Sequence, residues 1–204
     1  MNPDQNQNQY PIDYLNQIAP PAPKAGMDKK FLLLIGGGVA VVIIALIIVF
    51  SLSSASAGPK DKMQTLAARM TTLETISKTA QRSLKSGSLR NTNSTLTIFL
   101  TNANHDIAEP LKNNGIEVKT LDKGIVAKED GKKLTDKLEE ARLNAVYDRT
   151  YSREMTFELE GIATLMGDIY DRTSSKSLKD FLLKTDENLQ PIKKQFSEFA
   201  DQNG

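Results

Sequence analysis

One histidine, His105, and no cysteine set the limits of the chemistry this chain can support. A di-iron centre inside a helical bundle takes carboxylates from two helices and a Glu-x-x-His pair from each of two others. One imidazole cannot supply two such pairs. His105 stands beside Asp106 without a cluster of further ligands in the sequence, which reads as a solvent-facing or locally hydrogen-bonded residue. Glu154, Glu158 and Asp168 share one stretch with Arg153 and Arg172, and ordinary surface charge accounts for them more simply than a metal site does. A serine triad would have His105 as its only base, and none of the signatures of a nucleophile turn surrounds the serines. Two carboxylates alone can hydrolyse glycosides. The acidic residues fall mainly on the polar sides of helices, however, and no cleft-forming architecture is evident. Tyr147, Tyr151 and Tyr170 recur along one helical stretch, either as a binding surface or, more economically, as packing at the edge of a core. The expectation is a protein that is not an enzyme and uses neither metal nor other cofactor.

The composition agrees. In 204 residues, 26 Lys plus Arg face 25 Asp plus Glu, so there is no electrostatic case for nucleic acid. The absence of cysteine excludes disulfides, thiolate metal sites and cysteine nucleophiles.

The strongest feature is physical rather than chemical. Phe31 to Leu52 is an uninterrupted run without a charge, and at ~1.5 Å per residue it spans a hydrocarbon core of ~30 Å. The expected partner of this segment is the lipid bilayer. Lys29 and Lys30 lie directly against the run and favour a cytoplasmic N-terminus with the larger C-terminal part outside the plasma membrane. Gly36 and Ala40, four residues apart, are candidates for close packing of two spans, although glycine is common in membrane helices. Gly36 to Gly38 cannot form a phosphate loop, because no Lys-Ser/Thr follows. Ala55-Ser56-Ala57 resembles a signal-peptidase site. Retention as an anchor and release of a product beginning at Gly58 are thus both readings of residues 53–58, the hinge.

Residues 1–30 are rich in Asn, Gln and Pro and read as a disordered tail. Within 10–20, Ile12, Leu15 and Ile18 recur every three residues, either as a short motif for a partner's groove or the inner leaflet, or as incidental apolar residues of a tail. This stretch looks like a juxtamembrane segment found in single-pass proteins of some ultrasmall bacteria.

Residues 59–204 carry helical periodicity. Met63, Leu66, Met70, Leu73, Ala80 and Leu84 mark a first helix, begun at Pro59 and stopped at Gly87. The seven basic and two acidic residues up to Arg90 are either a solvated face or a surface for anionic headgroups. A second helix from Asn91 or Asn93 uses Leu96, Phe99, Leu100, Ala103 and Ile107 and ends around Pro110 and Asn113-Asn114-Gly115. Asn93-Ser94-Thr95 matches a glycosylation acceptor. Residues 116–129 read as a long connection. A short helix over 132–144 and a longer one over 145–172 follow, split because Asp148 and Ser152 fall where apolar residues are expected. Ser177 and Asp180 form a weak capping box for a last helix through Phe199, which Pro191 should kink. Two antiparallel helices, a crossover and two more give an all-α four-helix bundle of the ferritin-like kind, preceded by one transmembrane helix.

Two segments carry a resemblance. Asn144-Ala-Val-Tyr-Asp-Arg-Thr-Tyr-Ser-Arg-Glu-Met155 and Leu178-Lys-Asp-Phe-Leu-Leu-Lys-Thr185 are similar to an uncharacterised bacterial family of ferritin-like envelope proteins whose third long helix opens with Phe-Asp-Arg-Ala-Tyr. The likeness covers about Lys60 to Phe199 and is densest from Asn114 to Thr185. It implies an extracytoplasmic bundle and no particular activity. Family members carry histidines a turn after the position of Met155 and in the last helix. This chain has none there, so those positions are not carried over.

The function expected is that of a membrane-anchored, non-enzymatic envelope protein whose bundle binds another protein or an envelope component. A small-ligand sensor and a degenerate metal-storage or redox protein are the alternatives.

Overall fold

The computed structural model describes residues 58–202, whose regular structure is all helical, with no strand among them. In chain order the helices are α1 (Pro59–Ala80), α2 (Gly87–Asp106), α3 (Ala108–Lys112), a single 3-10 turn (Val118–Thr120), α4 (Lys123–Lys128), α5 (Lys132–Leu143), α6 (Tyr147–Arg172) and α7 (Lys176–Gln202). Ile12, Leu15, Ile18, Gly36, Ala40, the apolar run at 31–52 and the possible cleavage site all lie outside the described residues. Among the described residues no helix is long and apolar enough to cross a membrane.

The four long helices α1, α2, α6 and α7 form four packed pairs: α1 with α2, α2 with α7, α7 with α6, and α6 with α1. Short turns at 81–86 and 173–175 make α1 run antiparallel to α2, and α6 to α7. Side chains give the sense of the other two pairs. Near the start of α1, Lys62 Nζ donates to Asp168 near the end of α6 at 2.9 Å. Thr92, early in α2, donates to Gln195, late in α7, at 3.1 Å. These pairs also run antiparallel. The core between them holds every apolar residue that the periodicity picks out in α1, α6 and the segment Leu178 to Phe196, apart from Phe181, which is half-buried. Complete burial of one such Leu or Phe contributes ~1.5–3 kcal/mol, so the apolar face rather than helix propensity holds each element.

Several boundaries differ from expectation. Helix α1 ends at Ala80, not Gly87, and α2 already begins at Gly87, ahead of Asn91. Ser86 is the reason: its hydroxyl accepts from the Leu89 amide at 3.3 Å, which makes it the N-cap. Asp148 strengthens the same corner, accepting from the amides of Lys85 at 3.0 Å and Ser86 at 2.7 Å. The polar residue that interrupts the apolar pattern of α6 is thus a partner for the neighbouring loop. Pro110 does not stop a helix; it sits in the first turn of α3, where its missing N–H costs nothing. The connection at 116–129 is not featureless, since it contains the 3-10 turn and α4, which packs on α1. Neither piece has a buried residue. The break between α5 and α6 occurs as expected, at Ala145, whose φ is 58°. Ser175, not Ser177, caps α7, with its hydroxyl accepting from the Leu178 amide at 3.4 Å. Helix α7 runs unbroken through Pro191.

Two functional expectations are corrected by burial. Asn93 has no exposed surface and cannot accept a glycan. The basic residues before Arg90 do not form one face: Lys62 is 4% exposed and paired with Asp168, and buried Arg69 pairs with Glu129 at 2.8 Å.

Candidate functional site

Helix α5 lies on α6 through Leu134, Leu138 and Ala141, spaced to fall on one side. Its start is pinned against α1. Gly131, the residue before α5, has a φ of 68°, and a Cβ there would come within 2.6 Å of Thr72 Cγ2 and 2.8 Å of Ile76 Cδ1. From this pinch α1 and α5 enclose a groove of about 470 Å³.

One wall carries Thr71, Thr75 and Thr79 of α1 and Ser83 of the turn after it, one hydroxyl every four residues. Four residues are ~6 Å of helix. Three of these hydroxyls are already committed: Thr71 Oγ1 donates to the Ala67 carbonyl at 2.9 Å, Thr75 to that of Thr71 at 3.1 Å and Thr79 to that of Thr75 at 3.0 Å. Next to them Thr72 donates to the Glu129 carbonyl at 2.5 Å. Each threonine has one proton to give, so what these hydroxyls offer to the groove is lone pairs.

The opposite wall is Thr135, Glu139 and Arg142 of α5. Arg142 holds Glu139 through Nε at 2.8 Å and Nη2 at 2.6 Å. This pairing lowers the Glu139 pKa below the usual carboxylate range, chiefly through the hydrogen bond from Arg142. Ile76, Ala80 and Leu138 make the floor, and Tyr147 adds its ring. Burial raises the Tyr147 pKa, with a hydrogen bond to Ser83 opposing it, so the phenol is neutral at physiological pH.

Behind Tyr147 the structure is aromatic and polar. Tyr147 stacks on Tyr151 with centroids 6.0 Å apart, and Tyr151 meets Phe196 edge-on at 5.9 Å. The Tyr151 hydroxyl donates to Asn93 Oδ1. Asn93 Oδ1 also accepts from Ser77 at 2.7 Å, while its Nδ2 donates to the Ser77 carbonyl at 3.0 Å and to Gln81 Oε1 at 2.6 Å. The amide is fully satisfied, so this buried network locks α1, α2 and α6 together. Of the three tyrosines only Tyr147 and Tyr151 come together; Tyr170 lies under Lys179 Nζ at 4.8 Å.

A second polar cluster joins α1, the end of the crossover, α5 and α6. Arg69 pairs with Glu129, and Lys137 with Glu154 at 2.6 Å. Half-buried Glu158 has its pKa raised, first by desolvation and then by Glu129 and Glu154, against the pull of Arg69. Glu154, Glu158 and Asp168 are therefore not simple surface charge: each belongs to a contact between elements. Among the described residues no group of three or more His, Asp or Glu could hold a metal ion. His105 is at the surface, its side chain 90% exposed, with Nδ1 3.0 Å from Asp106.

The groove has room for a ligand, and no nucleophile and base are paired in it. Sequence reasoning missed it, although Thr71, Thr75, Thr79 and Ser83 repeat at a spacing legible in the chain. No protein-family model matches this chain, and no curated protein or solved structure matches it either.

Proposed function

We propose that the chain is a single-pass, membrane-anchored envelope protein, not an enzyme, whose helical domain binds a protein or an envelope component. The observation that carries this reading is the uncharged run Phe31 to Leu52, which precedes a helical domain in the chain. The open groove between α1 and α5 supports a binding role. The N-terminus is cytoplasmic and residues 59–204 are extracytoplasmic, as Lys29 and Lys30 favour.

Within this proposal the domain is a ferritin-like four-helix bundle. Support comes from the four antiparallel pairs among α1, α2, α6 and α7 and from the long connection between α2 and α6. The absence of histidine from those helices other than His105 separates it from metal-carrying bundles of that shape.

Protease added to intact cells tests the reading. The helical domain should be digested, or clipped off, while a fragment containing residues 31–52 stays with the membrane. Full-length protein recovered from the cytosolic fraction would refute it. A second reading, a sensor of a small extracellular solute, is favoured by the groove's volume; a partner recovered by crosslinking supports the first, and a solute that raises the melting temperature supports the second.

A further inference from the structure

Helix α2 turns an uncharged face to water. Asp, Glu, Lys and Arg make up 25% of the chain, yet none occurs from Asn91 to Asn104, although Asn91, Ile98 and Asn102 are all exposed. Ile98, at the middle of this stretch, is 64% exposed. Asn91, Ser94, Ile98 and His105 follow a three-four spacing on the side of α2 away from buried Leu96, Leu100 and Ala103. Among the described residues the side-chain amides of Asn91 and Asn102 have no partner, so each has donors and an acceptor to offer.

The charges that bound this stretch are opposite in sign and symmetrically placed. Arg90 precedes Ile98 by eight residues and Asp106 follows it by eight, which is ~12 Å of helix on either side. Among the described residues no ion pair engages Arg90, and the Asp106 side chain is 55% exposed beside His105. When two such helices lie antiparallel and cross at Ile98, Arg90 of each is level with Asp106 of the other. Asn91 is then level with His105, and Ser94 with Asn102. These levels match a cation to an anion and an amide to a hydroxyl or an imidazole, around one apolar contact. In a parallel pair Arg90 would be level with Arg90 and Asp106 with Asp106, which repels. A foreign partner would need the same order of groups by coincidence, whereas a second copy carries it.

Area sets the strength of such a contact. From Arg90 to Asp106 the face is ~25 Å long and ~10 Å wide, well short of the ~800 Å² that each partner gives to a stable complex. Dilute copies should therefore stay apart. Two chains anchored in one bilayer are held at a far higher effective concentration, and with the two-fold axis along the membrane normal both enter the same bilayer.

We propose that α2 is a contact between two copies of this chain, antiparallel about Ile98 and weak enough to need crowding. This names the partner within the membrane-anchored reading and rests on that reading for the crowding alone.

The chain has no cysteine, so every introduced thiol is unique. The full chain is reconstituted in phosphatidylcholine vesicles at a low and a high protein-to-lipid ratio and treated with a mild oxidant. Ile98→Cys should give disulfide-linked dimers whose yield rises with the ratio. Asn91→Cys and His105→Cys should each crosslink poorly alone and well when reconstituted together. Adding Ile98→Lys to both members of that mixed pair sets like charges on the axis and should cut the yield by about tenfold or more. Leu183→Cys, 50% exposed on α7, reports random collision and should stay monomeric. Absence of Ile98→Cys dimers at the high ratio, an equal yield from Leu183→Cys, or more crosslinking by Asn91→Cys alone than by the mixed pair would overturn the proposal. Flotation of the same vesicles reads the anchor separately: protein that floats without crosslinking removes the dimer and leaves the anchor, whereas protein that crosslinks without floating removes the anchor and leaves the α2 contact.

Discussion

Gly131→Ala tests how closely α5 is held to α1, and a second glycine provides its internal standard. Gly131 and Gly115 have nearly the same backbone conformation, with φ of 68° and 72°. A left-handed residue with a Cβ costs ~1–2 kcal/mol, and the stiffer unfolded chain returns ~0.4–1 kcal/mol. At Gly115 that is nearly the whole effect, because an added Cβ would meet only the far end of Lys60 at 3.4 Å. At Gly131 the same atom would lie 2.6 Å from Thr72 Cγ2 and 2.8 Å from Ile76 Cδ1. Thr72 is held by its bond to the Glu129 carbonyl and Ile76 is buried in the core, so overpacking adds ~1–3 kcal/mol. Gly115→Ala should therefore cost about 1 kcal/mol and Gly131→Ala about 3 kcal/mol. For a domain of this size, Gly131→Ala should lower the melting temperature by ~6–12 °C. Thermal unfolding of the full chain followed by circular dichroism reads both. Equal losses for the two alanines would mean that the contact at Thr72 and Ile76 is loose and the reasoning is wrong.

Glu158→Gln should raise the melting temperature at pH 7. Burial lifts the folded pKa of Glu158 above its unfolded value, so the native state holds its proton more tightly, and stability present below the unfolded value is lost as pH rises through the folded one. The advantage of Gln should disappear below pH 4.5, the ordinary value of a glutamate carboxyl; a Gln variant that is less stable at pH 7 would instead show that the attraction of Arg69 dominates. In the buried network, Tyr151→Phe removes one hydrogen bond and should cost ~1 kcal/mol, whereas Asn93→Ala strands Ser77, Gln81 and Tyr151 together and should cost ~3 kcal/mol or more. Denaturant titration that ranks the two variants the other way would contradict this assignment of partners.

Apolar periodicity made the long helices legible, because Leu66, Met70 and Leu73 or Met155, Leu159 and Ile162 are buried for the reason their spacing suggests. Polar residues misled. Gly87 reads as a helix stop, yet Ser86 just before it is a cap, and a cap depends on where one hydroxyl points. Asp148 reads as an interruption of a helix, but its partners are amides 62 and 63 residues away in the chain. Asn93 matches a surface motif and lies in the core, since its four side-chain hydrogen bonds are shared with Ser77, Gln81 and Tyr151, residues that no local pattern joins to it. The groove was hidden for a different reason: its threonines lie on the polar side of α1, which apolar periodicity discards, and its other wall comes from α5, far along the chain.

The crossover from Val118 to Lys128 contains no buried side chain, and polar contacts hold its two ends. The Asp122 amide reaches Gln64 at 2.8 Å, and Glu129 binds Arg69 and Thr72. Apart from Val118 and Leu121, which rest half-buried on the core, little of this strap holds to the interior, so its amides should trade hydrogen for deuterium before those of the helices beneath it. Evolution could lengthen, shorten or sever this segment and leave the two hairpins that clasp one another beneath it intact.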